Sequence, residues 1–520
     1  MRSLRNRGAL VLRGASSQAV RRPAKVEPQP SQYGSLVLMG HAVVVALLVM
    51  AAFYFVVFPA SPEALLTPFS VLLLALFVWM AWSWKVVQGS LFNLYGLFML
   101  AAMPFHGGFS FLRIFGQAEE QIGLLGDFTP RALYGTMALV IFGFAFMHLG
   151  ALAANVASRR REVKPVATSG FESWNAYMIG WLMLAVSAGP VLLDFKEAIL
   201  IVLSGGYKGL FEQAAIDGDA GNTLMGLLAS FFLPGVMFLL AGSRDRWIGQ
   251  AVAAGAILCY AMSYLFLGHR AYAIIPLIVF AWLWHRCIRP LPMFAFATAG
   301  ISMFLFVAPI IRHVRNLSGA DRFSPTVLID AYTSVENPVL GLIGELGGSM
   351  LTITYTMEAV PSMRPFEWGM DYLRAFLNAI PIIDLPEVYG ASGTWLAWTF
   401  KPFWAANGFG FGYSFIAEAF LNFGWLGAPL FLAFFGFTVV KLLQWVDGSG
   451  DPARLAFLAS FMPAFLFTVR GEWVDFTRPM LWYALVPFVT VIVLREVQRR
   501  LRKRVPTRQR QEPGIAPISM

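Results

Sequence analysis

Arginine residues stand at three breaks between long apolar runs, and they are the residues of this chain best suited to hold an anion. The breaks read Gly268-His269-Arg270, Arg312-His313-Val314-Arg315 and Arg470-Gly471-Glu472-Trp473-Val474-Asp475-Phe476-Thr477-Arg478. A guanidinium group is planar and offers parallel N–H donors, so it binds two phosphate oxygens at once, which a lysine ammonium cannot do. The three motifs therefore predict a site for an anionic substrate at a membrane boundary.

Composition places these arginines in a membrane protein. Of the 520 residues, 58% are apolar types and only 13% are charged, about half of the roughly 25% that is typical of soluble domains. The two cysteines and six histidines show no metal-ligand spacing, and no nucleotide-binding loop or dinucleotide fingerprint is present. We therefore expect no metal and no other cofactor, and no nucleic-acid partner.

Twelve apolar runs are candidates for membrane spans, because a bilayer core of about 30 Å needs around 20 apolar residues per helix. The predicted spans are 35–58, 64–84, 88–105, 131–156, 174–193, 222–243, 247–267, 271–286, 291–311, 425–441, 455–469 and 479–494. The pattern predicts an all-α polytopic membrane protein with about 12 transmembrane helices. We expect one catalytic membrane domain over residues 35–495, a basic N-terminal tail over 1–34 and a basic C-terminal tail over 496–520.

The basic residues predict the orientation of these spans. If both tails are cytoplasmic, about two thirds of the 39 lysines and arginines lie on the cytoplasmic side, as the positive-inside rule requires. The three arginine motifs then lie on the opposite side, together with a large loop over about 312–424.

The large loop is rich in apolar residues and aromatic rings. Leu340–Met357 and Tyr372–Ile383 have the composition of short helices that lie at the membrane surface. Tryptophan and tyrosine favour the headgroup boundary, and their faces also stack on sugar rings. We predict glycan contacts at Trp404, Tyr413 and Asn422, with anchoring at the membrane interface as the alternative for the aromatic residues.

Several of these features together resemble the bacterial O-antigen and oligosaccharide repeat-unit polymerases of the Wzy type. The resemblance rests on Gly268-His269-Arg270 before an apolar helix, the long outer loop, the Arg470-Gly471-Glu472 motif with Arg478, and the run Gly412-Tyr413-Ser414-Phe415-Ile416-Ala417-Glu418-Ala419-Phe420-Leu421-Asn422-Phe423-Gly424-Trp425-Leu426-Gly427. It spans roughly residues 35–495. It implies a GT-C-like integral-membrane glycosyltransferase that polymerises undecaprenyl-pyrophosphate-linked repeat units at the periplasmic face of the bacterial inner membrane, for an O-antigen or an exopolysaccharide.

Such a reaction needs cations beside the leaving pyrophosphate and a base for the acceptor hydroxyl. The predicted pyrophosphate-binding residues are Arg270, Arg312, Arg315, Arg470 and Arg478, and the predicted bases are Glu472, Glu418 and His313. Glu345 and His269 are further candidate bases.

Each of these residues also has a structural interpretation. Arg270 would contact lipid headgroups, and Arg312 and Arg315 would end a solvated helix. Glu472 would belong to an ion-pair network within its loop, and Glu418 would stabilise a helix start.

Two other functions remain open on the sequence alone. An O-antigen ligase uses the same lipid-linked donor with a different acceptor, and His313 in the large loop is compatible with it. A transporter or flippase of lipid-linked oligosaccharides would also suit twelve spans. A partner that regulates chain length is a further expectation from the resemblance.

Overall fold

The computed structural model describes residues 33–158, 170–217, 224–315, 317, 324–333, 337–380 and 391–504. Residues 1–32 of the predicted N-terminal tail and 505–520 of the predicted C-terminal tail lie outside the described residues, whereas residues 496–504 continue α22. The helices of the first half are α1 (Gly34–Val57), α2 (Pro62–Gln88), α3 (Leu94–Ile114), α4 (Ala118–Gln121), α5 (Pro130–Ala157), α6 (Gly170–Asp217), α7 (Leu224–Ala229), α8 (Phe232–Gly242), α9 (Trp247–Leu267) and α10 (Arg270–Cys287).

The helices of the second half comprise its membrane spans and the shorter helices between them. They are α11 (Met293–Ser302), α12 (Ala308–Val314), α13 (Pro325–Thr333), α14 (Pro338–Gly347), α15 (Leu351–Ala359), α16 (Met370–Asn378), α17 (Ser392–Phe400), α18 (Pro402–Ala406), α19 (Phe415–Asp447), α20 (Pro452–Phe467), α21 (Trp473–Arg478) and α22 (Val486–Arg504). The predicted surface segments Leu340–Met357 and Tyr372–Ile383 correspond to α14, α15 and α16, although residues 381–383 lie outside the described ranges.

Within the described ranges, eleven helical segments are long and apolar enough to cross a membrane. They coincide with eleven of the twelve predicted spans. The twelfth, predicted at 271–286, is α10, a helix of 18 residues with an arginine at each end, Arg270 and Arg286. The structure thus confirms an all-α polytopic membrane protein.

Several span boundaries differ from the sequence prediction because helices continue into the predicted loops. Helix α3 runs on to Ile114, and α19 begins ten residues earlier than predicted, at Phe415. The start of the predicted span 425–441 coincides instead with a break inside α19, where Gly424 has φ 62° and ψ −161°. A residue with a side chain rarely adopts this conformation, so glycine lets the helix change direction without ending.

Two π-helical segments interrupt the helices that carry arginines. Met303–Val307 joins α11 to α12, and Pro479–Leu485 joins α21 to α22. A π-turn adds one residue to a helical turn and is frequent near functional sites.

The core is built where α5 packs closely against α19. A Cβ atom at Gly150 would collide with the Ala433 carbonyl oxygen, and one at Gly436 would collide with the Met147 carbonyl oxygen. Small residues at a helix interface let the two backbones approach, which is how helices associate in a bilayer where no hydrophobic force drives them together. Of the shorter helices, α15 packs against both members of this pair.

Helix α10 connects two ends of the bundle that carry different charged contacts. At its first residue, Arg270 contacts Glu345 of α14, and near its last turn Arg286 contacts Asp447 at the end of α19, at 2.6 Å in both cases. With a rise of 1.5 Å per residue, these arginines are roughly 24 Å apart. Helix α14 of the large loop therefore lies at the Arg270 end of α10.

Candidate functional site

The first arginine of the candidate site, Arg270, is placed by a break between α9 and α10. Gly268 ends α9 with φ +90°, and a Cβ atom there would lie 2.9 Å from Cβ of Arg315. The tight turn makes Arg270 the first residue of α10. Its Nη1 donates to the Ala308 carbonyl oxygen at 3.0 Å and its Nη2 to Glu345 Oε1 at 2.6 Å. Arg270 is therefore held inside the protein and does not extend to the lipid headgroups.

Arg312 and Arg315 join Arg270 around the same carboxylate. Arg312 Nε lies 3.1 Å from Glu345 Oε2, and Arg315 Nη1 lies 3.4 Å from Glu345 Oε1. The Arg315 guanidinium also lies over the Tyr207 ring, 4.9 Å from its centroid. We call Arg270, Arg312, Arg315 and Glu345 the arginine cluster. It contains three cations and one anion, so it keeps a net charge of +2.

Burial and the arginine cluster together set the protonation of two neighbouring candidate bases. Burial raises the pKa of Glu345, but Arg270, Arg315 and Arg312 outweigh burial and leave that pKa below its usual value. Burial, and then the charge of Arg315, lowers the pKa of His269 from 6.5 to about 4. Glu345 is therefore a permanent anion and His269 a neutral imidazole at pH 7, and neither is suited to take a proton from a sugar hydroxyl.

Arg470 brings a fourth cation to this region. It ends a 3₁₀ turn after α20, and its carbonyl oxygen accepts a hydrogen bond from the Tyr413 backbone at 3.2 Å. Gly412, with φ +71°, lets the Arg470 side chain lie against the backbone there. Within the described part of the chain, Arg470 makes no ion pair. Arginines of the first two motifs meet at Glu345, and the charge of Arg470 acts on Tyr207, the ring over which Arg315 lies.

Arg478, the last predicted pyrophosphate ligand, is exposed at the end of α21. It follows Arg470 by about two helical turns in the sequence, and no contact between described residues joins it to the arginine cluster. Its predicted role stays a prediction.

Glu472 follows Arg470 but turns toward the large loop. Its Oε2 accepts the Ser392 N–H at 2.8 Å and its Oε1 accepts the Gly393 N–H at 2.7 Å, at the start of α17. Burial, together with the charges of Asp475 and Asp371, raises the pKa of Glu472 to about 7, although the two N–H donors lower it. Glu472 makes no ion pair among the described residues, so the expected network with its neighbouring arginines is not the one that forms.

Glu418 and Asn422 lie in a closed, packed layer. Glu418 is 3% exposed, accepts the Trp473 N–H with both oxygens at 2.9 and 3.2 Å, and borders a small cavity lined by aromatic rings. Asn422 is fully buried, accepts the Gly369 N–H at 3.0 Å and donates to the Glu418 carbonyl oxygen at 2.9 Å. Both side chains therefore hold backbone segments together and do not face an open cavity.

The other predicted residues are distributed between the core and the surface. Tyr413 is 1% exposed and its hydroxyl accepts a hydrogen bond from Thr356 at 3.2 Å. Trp404 is 43% exposed on α18, so its ring is available to a ligand or to lipid. His313 belongs to α12, but its side chain lies outside the described residues.

Sequence reasoning missed the charged group that frames Glu472. Arg364, 1% exposed, pairs with Glu367 at 3.1 Å and Asp371 at 3.8 Å, and donates to Ser392 Oγ at 3.2 Å. Arg374 pairs with the same two carboxylates at 2.7 and 3.4 Å. We call Arg364, Glu367, Asp371 and Arg374 the loop network. Opposite charges stand three positions apart at Arg364 and Glu367 and at Asp371 and Arg374, a spacing that could have revealed the network, although only the second pair lies in α16.

Two adjoining cavities are lined by the residues on either side of Arg270 in the sequence, Ala271 in one and His269 in the other. One has a volume of about 400 Å³, is bordered mainly by α8, α10 and α20, and has Tyr272 and Asp475 in its wall. The other has a volume of about 350 Å³ and reaches His269. They share Tyr260. The first is mainly apolar and begins directly after Arg270, since Ala271 is part of its wall.

Comparison with known proteins gives one match. The family model described as O-antigen polysaccharide polymerase Wzy matches residues 40–500, which is nearly the whole chain. None of the curated proteins and none of the solved structures matches.

Proposed function

Since the chain belongs to the O-antigen polysaccharide polymerase Wzy family, we propose that it transfers a growing glycan from one lipid pyrophosphate to the terminal sugar of a second lipid-linked repeat unit. The lipid is an undecaprenyl chain, and the reaction takes place at the periplasmic face of the bacterial inner membrane. Both termini are then cytoplasmic. Family membership supports the polymerase role, and the charge of the site supports the donor.

The observation that carries this proposal is the excess of cations at one end of α10. The arginine cluster has three arginines for one glutamate, and the nearby Arg470 makes no ion pair with the residues that the structure describes. In the reaction, the bond between the anomeric carbon and the pyrophosphate oxygen breaks, and its electron pair stays on the oxygen. Fixed guanidinium groups stabilise the charge that develops there, and one such donor contributes about 100- to 1,000-fold in rate.

Glu472 is the best placed of the predicted bases. Its pKa of about 7 suits a group that must be ionised to accept a proton yet return it afterwards. Each oxygen of an ionised carboxylate has two lone pairs, so an oxygen that accepts one backbone N–H can still accept the proton of the acceptor hydroxyl. Glu418 has no comparable access, because aromatic rings enclose it.

The apolar cavity next to Arg270 suits the lipid part of the donor. Its wall includes Tyr272, Ile275 and Phe467, which would contact isoprenoid units while the pyrophosphate meets the arginines. The glycan would then lie on the large loop, where Trp398, Phe403 and Trp404 expose aromatic rings. Aromatic faces stack on sugar rings, which tolerates several sugars.

A gel profile of glycans from a strain that lacks the gene tests this proposal. With a polymerase missing, we expect single repeat units on the surface or on the lipid carrier and no long chains, with recovery on complementation. Long polymer that accumulates on the lipid carrier in the periplasm would show a ligase. Accumulation on the cytoplasmic side alone would show a flippase.

Orientation has its own test. Single cysteines introduced at positions 380 and 450 should be labelled by a membrane-impermeant reagent from opposite sides, 380 from the periplasm and 450 from the cytoplasm. Outer labelling at position 450 would contradict the proposed orientation.

A further inference from the structure

Glu345 is held in place by a face of glycines on its own helix. Gly341, Gly344 and Gly347 follow one another at intervals of three along α14. A Cβ atom at Gly344 would collide with the Gln121 carbonyl oxygen, and one at Gly347 would lie 2.6 Å from the Phe109 nitrogen. Helix α14 therefore packs directly on the backbone of α3 and α4, and this packing fixes the backbone position from which the Glu345 side chain extends.

The carboxylate of Glu345 forms ion pairs with arginines at the ends of two separate helices. Oε1 is shared by Arg270 of α10 and Arg315 beyond α12, and Oε2 faces Arg312 of α12. A carboxylate that bridges three guanidinium groups occupies the position that a phosphate would take among them. Without it, three like charges would face one another across a half-buried space.

The cluster still has capacity for an anion from outside. Its net charge is +2, and the buried Nε of Arg315 donates no hydrogen bond within the described part of the chain. Arg312 is about one third exposed. An incoming diphosphate thus meets donors already directed by Glu345.

Charge distinguishes the donor from the product. A sugar-linked lipid diphosphate carries two negative charges. Cleavage of the glycosidic bond leaves the electron pair on the terminal phosphate, so the released lipid diphosphate carries more negative charge than the donor. Cations that stabilise the transition state also retain this product, and one fixed anion among them weakens that retention.

We propose that Glu345 is a positioning residue and an internal counter-anion of the pyrophosphate site. It holds Arg270, Arg312 and Arg315 in place before the donor binds, and it repels the lipid diphosphate after the bond has broken. The inference rests on the proposed function, because it assumes that the arginine cluster receives a diphosphate.

The test compares diphosphate affinity with turnover in the purified full-length chain, using farnesyl pyrophosphate as the probe. We expect Glu345→Gln to bind the probe at least about tenfold more tightly, the scale on which a charge 4–6 Å away changes an ionic equilibrium. Its turnover should fall, because the arginines lose their common partner and the product leaves slowly. Glu358→Gln, an exposed change on the neighbouring helix α15, is the matched control and should alter neither quantity.

Lower turnover with unchanged or weaker probe binding in Glu345→Gln would overturn the proposal and leave Glu345 a packing role. Glu345→Asp provides a second measurement, because it keeps the charge but withdraws it by one methylene. Its affinity should lie between those of the wild type and Glu345→Gln, so a wild-type affinity counts against the proposal even if Glu345→Gln fails to fold. A wild-type chain that does not bind the probe at all would instead contradict the proposed function.

Discussion

The arginine cluster and the loop network are built from the same residue types but have opposite relations to a ligand. In the loop network, two arginines meet two carboxylates, Arg364 is fully buried, and each charge has a partner. In the arginine cluster, three arginines share one carboxylate and remain partly exposed. A balanced, buried network stabilises a conformation, whereas an unbalanced, accessible one attracts an anion.

The loss of Arg270 should have the largest effect on activity. We expect Arg270→Ala to lower polymer output by about 100- to 1,000-fold, the usual effect of removing one donor that stabilises developing charge. Arg270→Lys should also fail, because one ammonium cannot reproduce the two directed contacts to Ala308 and Glu345. Glycan gels from the complemented deletion strain measure this.

Arg286→Ala is the matched control for that change, since Arg286 lies at the other end of α10. Immunoblots of the membrane fraction confirm equal amounts of protein. Full polymer output from both Arg270 variants would contradict the expectation that the arginine cluster, unlike the loop network, binds the anionic substrate.

Glu472 connects the two regions, and its ionisation should appear in the pH profile. Turnover should rise as pH increases through about 7, since the carboxylate must be ionised to take the hydroxyl proton. Glu472→Gln should remove this step and lower turnover by about 100-fold, the lower end of the range for a general base. Glu418→Gln should leave the midpoint of the pH profile unchanged. If the pH dependence near 7 disappears in that variant, Glu418 is the base instead.

The same ionisation should affect stability in the opposite direction. Because burial raises the pKa of Glu472 in the folded state from 4.5 to about 7, its neutral form favours folding. This contribution is complete below about 4.5 and is lost as pH rises through about 7. Thermal unfolding across this range, with Glu472→Gln for comparison, measures the difference.

Arg470 should have a smaller effect than Arg270, because no carboxylate among the described residues fixes its guanidinium. We expect Arg470→Ala to reduce turnover by about 10- to 100-fold, which corresponds to one hydrogen bond to a charged group. Single-turnover measurements on purified protein, with farnesyl pyrophosphate as a competitor, would separate weaker binding from slower chemistry. Unchanged turnover would restrict the pyrophosphate site to the arginine cluster.

The loop network should have the smallest effect on turnover per folded molecule and a large one on stability. Arg364→Met leaves Glu367 and Asp371 with one fewer partner in a buried place, and breaking such a pair costs about 3–5 kcal/mol. The control is Arg500→Met, whose ion pair with Glu496 is exposed and should contribute at most about 1 kcal/mol. Equal unfolding temperatures for the two variants would show that the network does not stabilise the fold.

The spans and the arginines could be predicted because both signals are local in the sequence. Apolar length predicted twelve spans, eleven of which coincide with long apolar helices among the described residues, and the arginines stood out against apolar surroundings. The meeting of these arginines at one carboxylate was harder to predict from the sequence, because Arg270 and Glu345 are 75 positions apart. The sequence makes Glu345 only a further candidate base, because it does not reveal the three arginines that surround this residue.

The closed environment of Glu418 and Asn422 could not be predicted for a related reason. The motif around them suggested a surface facing sugars, but both side chains bind backbone groups from distant segments, at Trp473 and Gly369. A helix-start carboxylate looks the same in the sequence whether it faces solvent or another helix. Only the packing of α16, α19 and α21 distinguishes the two cases.

The π-helical segment Met303–Val307 has a consequence for how the arginine cluster depends on the membrane. An α-helix turns by about 100° per residue, so the one extra residue of a π-turn sets the direction in which everything after it points. Arg312 and Arg315 follow this segment within three helical turns. Deletion of Leu305 would restore ordinary helical winding and rotate both guanidinium groups away from Glu345 while leaving a hydrophobic span. The direction of Arg312 and Arg315 is thus encoded by the phase of a helix within an apolar span, at residues that carry no charge themselves.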